Sequence, residues 1–532
     1  MAGFTRRALG GKLGWASLAS GLGLAPNPAQ ANPPPMPVVA YAGAPMAVTE
    51  ASFFAFDDYS IPFRHNLYLT MHAAEKHPDN PVLRQGPPGA PDDYGAQFYG
   101  SIIKDHGKLR MWYLAFDREC IASLSRKTYS GFRAAYAESD DGAHWTRPNL
   151  GLVDYGGSRN NNLVQLDPPD LRVVNLAVLD EPDDPDPAHR YKMMVTARAE
   201  NVMTSFPFFS ADGLRWRQAV PARIQESVIP AEAAPLPQEF FEQSGFYRWQ
   251  GMYYLTGQQL SPWVWLPDGK PCGRAMSIFR SRDLRHWPVS KTLGFVRWGY
   301  SSAPTSKGEE AHIPAAVWNR GNVLLGLFGL FHGSAERPDH PIDLGLLISN
   351  DGVHFREPLA NFIVIPRGWD KALSWESGAV VQGQGFENMN GRTHIWYSGW
   401  DADVTIEDTH AAIGLATLRQ DSFGSLSPKN PGEPAELVTS VVQLNAPVRL
   451  WINAEGLSQD AWLKVELLRP TEEPIQAYSE DSALPLYNSG PRVKVSWKDR
   501  EQVTVPDSAF RIRVIFGGDR RQSIKFYALY VG

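Results

Sequence analysis

Five acidic residues recur along the chain at a nearly constant distance before a second, repeated motif. Two carboxyl groups that face each other across a sugar-sized gap can hydrolyse a glycosidic bond, because one donates a proton to the leaving oxygen while the other acts as base or nucleophile. A third acid nearby raises the pKa of the donor, since like charges disfavour ionisation. The spacing therefore predicts a carboxylate site built from separate repeats, with the acids Asp93, Asp170, Glu242, Glu310 and Glu376. The chain holds 57 acidic residues, so an ordinary loop position is the alternative for any one of these five.

Polar and aromatic residues near the later acids are candidates for holding a sugar. His312 follows Glu310 by two positions, and Trp375 directly precedes Glu376. Imidazoles can hydrogen-bond hydroxyl groups, and the apolar faces of tryptophan rings stack on the C–H faces of sugars. We therefore expect Glu310, His312, His332, Trp375 and Glu376 to contact substrate, while a purely structural role is the alternative for either histidine.

The predicted chemistry needs no metal ion and no other cofactor. One acidic run fits a solvated loop better than a metal site, with a structural calcium ion held through oxygen ligands as the alternative. Its members are Asp401, Asp403, Glu407, Asp408 and His410. The two cysteines, Cys120 and Cys272, are too few for a cysteine-ligated metal site and form either one disulfide or two thiols. Nucleotide-binding, zinc-protease and serine-hydrolase motifs do not occur in the sequence.

The motif that follows each acid is a seven-residue box, Ser-x-Asp-(Gly/Leu)-x-x-(Trp/Phe). Its aspartate can accept N–H groups of its own loop, and its glycine can adopt the positive φ that a tight turn requires. The box aspartates are 71, 71 and 68 residues apart, and a regular period of this size indicates a repeat architecture. The four boxes are Ser139–Trp145, Ser210–Trp216, Ser281–Trp287 and Ser349–Phe355, and a degraded fifth copy surrounds Asp421.

Runs rich in β-branched and aromatic residues precede every box and are typical of strands. About seventy residues accommodate one four-stranded antiparallel sheet with its loops, so five repeats predict an all-β chain with a five-bladed β-propeller at residues 53–426. The starts of the innermost strands would bring the five acids to a central funnel. We expect Phe53–Met71 to pair with the last blade and to cover its exposed edge.

Both ends of the chain carry other patterns. Residues 1–31 combine Arg6-Arg7, a short apolar run and Ala29-Gln30-Ala31, which predicts a signal peptide of the twin-arginine type, with an ordinary secretory signal as the alternative. Residues 32–52 form a leader. Residues 427–435 hold three prolines and predict a linker, and the strand-like runs beyond it predict a β-sandwich at 436–532. The protein is therefore expected in the periplasm or outside the cell.

The charge balance restricts the possible partners. With 51 basic and 57 acidic residues the net charge is −6, which argues against a nucleic-acid-binding protein. No stretch after the signal reaches the length of about 18 apolar residues that a membrane helix needs. We expect a monomer whose partner is a carbohydrate substrate, without nucleic acid or membrane.

Several of these motifs resemble those of exported bacterial propeller proteins of the glycoside hydrolase family 43 and 32 superfamily. The resemblance rests on the repeated boxes, on Asn80-Pro81-Val82-Leu83, and on the Ile413–Arg419 run before the linker. It implies a five-bladed propeller that hydrolyses glycosidic bonds of poly- or oligosaccharides.

In family 43 the acids of the first three blades are a base, a pKa-tuning residue and a proton donor. By resemblance these would be Asp93, Asp170 and Glu242. The Trp-x-Asn-Asp-Pro motif of family 32 is absent, and Asp57 and Asp58 compete with Asp93 as the first acid.

Two other functions remain open from the sequence. A non-catalytic glycan-binding propeller would use the aromatic residues and not the acids. A glycoside phosphorylase would need a cationic cluster beside the acid, for which Arg133, Arg172 and Arg367 are the candidates.

Overall fold

The alternating apolar runs of the sequence form strands throughout the chain. The computed structural model describes residues 47–125, 131–169, 171–199, 202–219, 236, 241–260, 274–297, 309–332, 341–368, 374–401, 411–504 and 509–532. These residues belong to one compact unit, Ala42–Gly532. Asp170, Cys272 and positions 402–410 of the acidic run lie outside the described residues, as do the signal peptide and most of the leader.

The described elements are almost all strands. The N-terminal strands are β1 (Ala51–Phe54), β2 (Phe63–His65), β3 (Leu67–Met71) and β4 (Glu75–Lys76). The repeats contain β5 (Gly95–Asp105), β6 (Lys108–Phe116), the helix α1 (Arg118–Ser125), β7 (Arg133–Ser139), β8 (Asn175–Asp180), β9 (Tyr191–Ala199), β10 (Val202–Ser210), β11 (Arg217–Gln218), β12 (Glu242–Trp249), β13 (Met252–Leu260), β14 (Arg274–Ser281), β15 (Thr292–Val296), β16 (Glu309–Asn319), β17 (Leu324–His332), β18 (Ile342–Ser349), β19 (Ile363–Ile365), β20 (Ala379–Met389), β21 (Arg392–Trp400) and β22 (Ala411–Arg419). The C-terminal strands are β23 (Gly424–Pro428), β24 (Ala435–Val438), β25 (Val442–Gln443), β26 (Leu450–Glu455), β27 (Trp462–Leu468), β28 (Gly490–Lys494), β29 (Ala509–Gly517) and β30 (Lys525–Val531), and single 3₁₀ turns lie at Pro187–His189, Gln476–Tyr478 and Arg521–Ser523.

The repeats fold into five sheets of consecutive antiparallel strands. Sheet 1 contains β5–β7, sheet 2 contains β8–β11, sheet 3 contains β12–β15 and sheet 4 contains β16–β19. Sheet 5 contains β20–β22, and β4 from the N-terminal segment pairs with the outer side of β22. Each repeat thus contributes one group of consecutive antiparallel strands, and single backbone pairs link sheets 1, 4 and 5 into one eleven-stranded sheet.

The first strands of the five sheets lie next to one another. Each contact between neighbouring sheets includes a hydrogen bond or a backbone pair. Between sheets 1 and 2, Val178 N–H donates to Ser101 Oγ, and between sheets 2 and 3, Asn175 donates to the carbonyl of Gln243. Sheet 4 accepts from both neighbours, from Thr256 of sheet 3 at the carbonyl of Ala315 and from Gln382 of sheet 5 at the carbonyl of Ile313, and Ala411 of sheet 5 pairs with Gly95 of sheet 1. Gln384 of sheet 5 also reaches sheet 3, where its amide accepts from the N–H of Phe246 and donates to its carbonyl, both at 2.9 Å. The starts of these strands are thereby brought together.

Each box forms the expected tight turn. Asp141 Oδ1 accepts the N–H groups of Ala143 and His144 at 2.9 and 2.8 Å, and the same two bonds recur at Asp212, Asp283 and Asp351. Burial opposes ionisation of Asp141, but these bonds hold its pKa below the usual value. The glycine position has φ of 82° at Gly142, and Leu284 takes this position in the third box with φ of 64°.

Three of the turns also dock their sheet on the preceding one. The carbonyl of Gly142 in sheet 1 accepts the indole N–H of Trp396 in sheet 5 at 2.8 Å. Equivalent bonds join Gly213 to Trp112 at 2.7 Å and Gly352 to the hydroxyl of Tyr247 at 2.6 Å. A Cβ would collide with the ring of Trp396 at Gly142, of Trp112 at Gly213 and of Trp249 at Gly352. The box glycine therefore serves the contact between sheets as well as the turn.

The degraded fifth box joins three sheets. Asp421 is fully buried and accepts from Arg320 beside sheet 4, from Asn388 of sheet 5 and from Tyr530 of β30. Burial alone would raise the pKa of Asp421, but the charge and hydrogen bonds of Arg320 and the bonds from Asn388 and Tyr530 hold it below its usual value.

The prediction that Phe53–Met71 pairs with the last repeat is wrong. β1 pairs with β30, β2 with β24, and β3 with β23, so this segment belongs to the C-terminal sheets. Phe53 joins the C-terminal core, whereas Phe54 faces the core shared with sheets 4 and 5. The edge of sheet 5 is instead covered by β4, held by an ion pair between Lys76 and buried Glu376.

The six strand-like runs predicted after the linker all contain strands. They form two antiparallel sheets, sheet 6 with β1, β3, β23, β26, β28 and β30, and sheet 7 with β2, β24, β25, β27 and β29. β23 runs into the predicted linker, because Ser427 and Pro428 pair with Tyr68 and Leu67. One core of alternating apolar residues fills the space between the two sheets.

We predict that Gly142→Ala lowers the free energy of unfolding by about 2–4 kcal/mol, because the new Cβ adds backbone strain and lies 2.5 Å from the ring of Trp396. Gly107→Ala is the matched control, since Gly107 has nearly the same φ of 86° but nothing within 4 Å of its Cβ position, and it should cost about 1 kcal/mol. Urea denaturation measures both. Equal losses would show that the docking contact adds nothing to the cost of the turn.

Candidate functional site

Six polar side chains from sheets 1, 3 and 4 form one hydrogen-bonded and ion-paired group, most of them near the ends of their strands. We call this group the Arg274 cluster, and its members are Tyr99 of β5, Glu242 of β12, Gln258 of β13, Arg274 of β14, and Glu310 and His312 of β16. Strand register places the three members from sheet 3 close together. Glu242 of β12 pairs with Gln258 of β13, and Arg274 of β14 pairs with Leu260, the last residue of β13. The apolar alternation of these strands thus fixes where the polar ends lie.

Arg274 connects sheet 3 to the acid of sheet 4. Its Nε lies 3.2 Å from Oε2 of Glu310, and the two side chains are 17% and 18% exposed. Burial raises the pKa of Glu310, and the positive charge of Arg274 opposes part of this rise. Glu310 therefore keeps its proton to a higher pH than an ordinary glutamic acid.

Gln258 lies between Arg274 and Glu242. Its Oε1 accepts the N–H of Ile313 at 3.0 Å and Nη1 of Arg274 at 3.4 Å, and its Nε2 donates to Glu242 at 3.5 Å. The neutral amide thus bridges the arginine and Glu242, while the arginine contacts Glu310 directly. Two carboxyl groups are in this way held in one network.

His312 joins the cluster to Tyr99. Nε2 of His312 lies 3.2 Å from the Tyr99 hydroxyl, and Nη1 of Arg274 lies 2.8 Å from Nδ1 of His312. Burial raises the pKa of Tyr99 well above its usual value, the charge of Glu242 raises it further, and Arg274 opposes the rise. Tyr99 therefore stays protonated and can donate a hydrogen bond.

The cluster is partly open to solvent. Tyr99 is 8% and Gln258 is 4% exposed, whereas Glu242, Arg274, Glu310 and His312 are half-buried. An acid that keeps its proton, a second carboxylate, a cation, an imidazole and a phenol are thus offered to a ligand at one place. This set can support general acid–base chemistry on a hydroxylated substrate.

The structure brings together three of the residues predicted from sequence, Glu242, Glu310 and His312. Asp93 is half-buried at the start of sheet 1, where its Oδ2 accepts the N–H of Gly89 at 3.0 Å. Its Oδ1 is buried, and within the described residues no group hydrogen-bonds to it. No described contact joins Asp93 to the Arg274 cluster.

His332 lies in a separate ion-paired group. Its Nε2 is 2.7 Å from Oδ2 of Asp343, which also accepts from the backbone N–H and the guanidinium of Arg367. Burial opposes ionisation of Asp343, but His332 and Arg367 hold its pKa below the usual value. His332 thus has a carboxylate partner of its own.

Glu376 and Trp375 belong to the contact that holds β4. Glu376 is 4% exposed, pairs with Lys76 and accepts the hydroxyl of Tyr397 at 2.7 Å. Trp375 stacks on the same tyrosine with ring centroids 6.1 Å apart. The described contacts of these two residues are structural, and none of them involves the Arg274 cluster.

Asp57 and Asp58, the rivals of Asp93, lie beside the box of sheet 4. Asp57 is fully buried and accepts from Ser60, from Asn350 at 2.7 Å and from Arg356 at 2.9 Å. Arg356 also binds Asp58 at 2.7 Å. Both aspartates thus fasten the N-terminal segment to the turn of the fourth box.

Sequence reasoning missed Tyr99, Gln258 and Arg274. Gln258 and Arg274 lie on the second and third strands of their sheet, whereas the spacing argument considered only residues before the first strand. Both are polar residues near one end of an apolar strand, on the side of the sheet where Glu242 opens the first strand. That pattern is the signal by which the sequence could have identified them.

Metal sites, membrane-spanning helices and the cysteines are the remaining features considered from the sequence. Among the described residues, no group of three or more His, Cys, Asp or Glu side chains could hold a metal ion. In that same part of the chain, no helix has the length and apolar character needed to span a membrane. Cys120 is buried, which raises the pKa of its thiol to about 12, and the choice between a disulfide and two thiols stays open.

Comparisons with known proteins give structural matches alone. No protein family model matches the chain, and no curated protein sequence matches it. The chain is similar to a glycosyl hydrolase from Bacteroides ovatus, with 16% identity, a TM-score of 0.41 and coverage of 66% of this chain and 95% of that one. It is also similar to a β-1,2-mannobiose phosphorylase from Listeria innocua, with 13% identity, a TM-score of 0.41 and coverage of 68% of this chain and 98% of that one. A third similar structure is a fructofuranosidase from Schwanniomyces occidentalis, with 9% identity, a TM-score of 0.37 and coverage of 87% of this chain and 98% of that one.

We predict that Arg274→Met lowers the free energy of unfolding by about 1–3 kcal/mol, because Glu310 loses its counter-charge while remaining half-buried. The folded-state pKa of Glu310 is raised, so stability falls as the pH rises through that pKa. Removing Arg274 raises this pKa further, and the loss should be larger at pH 7 than at pH 4.

Arg280→Met is the control, since Arg280 lies on the same strand but is exposed, and it should cost less than about 0.5 kcal/mol. Thermal unfolding at the two pH values measures both variants. A loss from Arg274→Met that does not depend on pH would contradict the electrostatic account of Glu310.

Proposed function

We propose that sheets 1–5 form a closed five-bladed β-propeller, that sheets 6 and 7 form a C-terminal β-sandwich, and that the protein is an exported glycoside hydrolase. Support for the closed propeller comes from the contacts between successive first strands, including the pair Gln384 and Ser101 that joins β20 of sheet 5 to β5 of sheet 1. Support for export, to the periplasm or beyond the cell, comes from the Arg6-Arg7 signal pattern.

The observation that carries the function is the pair of carboxyl groups in the Arg274 cluster. Glu242 and Glu310 open the first strands of neighbouring sheets, are linked through Gln258 and Arg274, and are both half-buried. Cleavage of a glycosidic bond uses two carboxyl groups beside a site that a sugar can reach, and this pair supplies both acids. The bound carbohydrate would lie over the open side of the cluster.

The two acids differ in their surroundings, which favours different roles. Burial raises the pKa of Glu310, so we assign Glu310 as the proton donor. Glu242 then acts as the base or nucleophile. This assignment moves the donor role from Glu242, where the resemblance to family 43 placed it, to the acid of the next sheet.

The other candidates keep more limited roles in this proposal. Asp93 remains an alternative base, because one of its carboxylate oxygens is buried without a described partner. Asp170 remains the proposed pKa-tuning acid. No cofactor takes part, and a calcium ion in the acidic run after Asp401 would be structural.

We predict that Glu242→Gln and Glu310→Gln each lower kcat/KM on the natural glycan by about 10²–10⁴-fold, since each removes one of two acid–base groups. On a 4-nitrophenyl glycoside, which has a good leaving group, Glu310→Gln should retain much more activity than Glu242→Gln, because the departing phenolate needs no proton. A glycan panel with product analysis identifies the substrate, and steady-state kinetics then compare the variants.

Glu387→Gln is the matched control, because burial also raises the pKa of Glu387 but its partner is Lys104 at 3.8 Å, outside the cluster. It should keep full activity. Full activity of both cluster variants combined with an inactive Asp93→Asn would move the chemistry to Asp93. A glycan that binds without any product would favour the non-catalytic binding propeller.

A glycoside phosphorylase is the second candidate, favoured by the cationic Arg274 and the imidazole of His312 beside Glu310. Against it, the arginines considered for phosphate are bound to carboxylates. Arg133 and Arg172 both pair with Asp117, at 3.1 and 2.9 Å, and Arg367 pairs with Asp343.

We therefore predict hydrolysis, with the same rate and the same free sugar product in phosphate buffer as in a buffer without phosphate. Chromatography of the products distinguishes the free sugar from a sugar 1-phosphate. A phosphate-dependent rate with release of sugar 1-phosphate would replace hydrolysis by phosphorolysis.

A further inference from the structure

The contacts of His312 determine where its proton lies. Every guanidinium N–H is a donor, so Nδ1 of His312, 2.8 Å from Nη1 of Arg274, must act as an acceptor and carry no hydrogen. A neutral imidazole then has its hydrogen on Nε2. That nitrogen faces the Tyr99 hydroxyl at 3.2 Å, so His312 donates and the tyrosine oxygen accepts.

The surroundings of His312 favour this neutral form. Arg274 of β14 presents a positive charge to the ring, and Phe331 of β17 packs with its ring centroid 6.5 Å away. Among the contacts of the described residues, Glu310 pairs with Arg274, and Glu242 accepts from Gln258. A second positive charge on the imidazole would thus face the guanidinium at hydrogen-bonding distance.

This arrangement directs the hydrogen of Tyr99. Because the tyrosine oxygen accepts from His312, its own O–H points elsewhere. Burial and the charge of Glu242 both raise the pKa of Tyr99, so the phenol keeps its proton and remains a donor. The hydroxyl is a donor for an oxygen atom bound beside Glu242.

We propose that His312 is a neutral positioning residue, and that Tyr99, not His312, donates a hydrogen bond to the substrate beside Glu242. The substrate contact deepens the proposed function and rests on it, whereas the state of His312 does not. The proposal replaces the expectation that His312 itself binds a sugar hydroxyl.

Nitrogen NMR of the full chain with ¹⁵N-labelled histidine tests the state of His312 without any substrate. The His312→Gln variant identifies its signals by their loss, and Tyr99→Phe identifies them by a shift of Nε2 even if the first variant does not fold. We expect the neutral Nε2–H form from pH 5 to pH 8. An imidazolium at pH 5, or the Nδ1–H form, would overturn the proposal.

His332 is the internal control, because its Nε2 lies 2.7 Å from the carboxylate of Asp343, where a positive charge is stabilised. Its signals, assigned with His332→Gln, should show proton uptake as the pH falls. Identical behaviour of the two histidines would remove the case for Arg274 holding His312 neutral.

Kinetics on the 4-nitrophenyl glycoside that the wild type hydrolyses test the role of Tyr99. Tyr99→Phe should lower kcat/KM about tenfold, the loss of one hydrogen bond. For His312→Gln, whose amide can accept from Arg274 and donate to Tyr99, kcat/KM should stay within about threefold of wild type, and both limbs of the pH–rate profile should be unchanged. For His312→Leu, kcat/KM should fall to the level of Tyr99→Phe.

Two results would show that His312 itself acts on the substrate. One is that His312→Gln loses a limb of the pH–rate profile, and the other is that Tyr99→Phe keeps full activity while His312→Leu is inactive. Hydrolysis of no glycoside at all would contradict the proposed function, while the NMR result would still decide the state of His312.

Discussion

The contact on which the arrangement of the sheets depends is the bond from an aromatic side chain of one sheet to the box glycine carbonyl of the next. Trp396, Trp112 and Tyr247 make this bond to Gly142, Gly213 and Gly352, and each donor is buried. A directional bond combined with a packed ring fixes both the distance and the rotation between sheets. Since a glycine has no Cβ, the ring can cover the turn completely. The sheets must be set in this way before their first strands can bring polar ends together.

The repeat, the strands and the box turns could be predicted because their signals are local. A serine, an aspartate and a glycine within four positions specify a turn through their own hydrogen bonds, whatever lies around them. The edge that a strand pairs with is not local information. Phe53–Met71 has the alternating pattern of a strand, yet its partner is decided by which C-terminal strand offers an open edge and which core accepts Phe53.

The candidate site could be predicted only in part for the same reason. Glu242 and Glu310 stand at the expected spacing, but Arg274 acquires its meaning from a contact between two sheets that no spacing encodes. Glu376 and His332 fit the pattern equally well, and the structure gives them to Lys76 and Asp343. A buried carboxylate needs a partner, and a sequence does not reveal whether a cation of the fold has already supplied it.

The charge balance of the Arg274 cluster explains why it suits proton transfer. Arg274 contacts Glu310 directly and is linked to Glu242 through the neutral amide of Gln258. The guanidinium opposes part of the effect of burial, which raises the pKa of Glu310. In the proposed reaction this raised pKa lets Glu310 hold the proton that it donates, while Arg274 supplies a counter-charge for the carboxylate that remains after the transfer. The arginine would thus tune the proton donor without being a reactant.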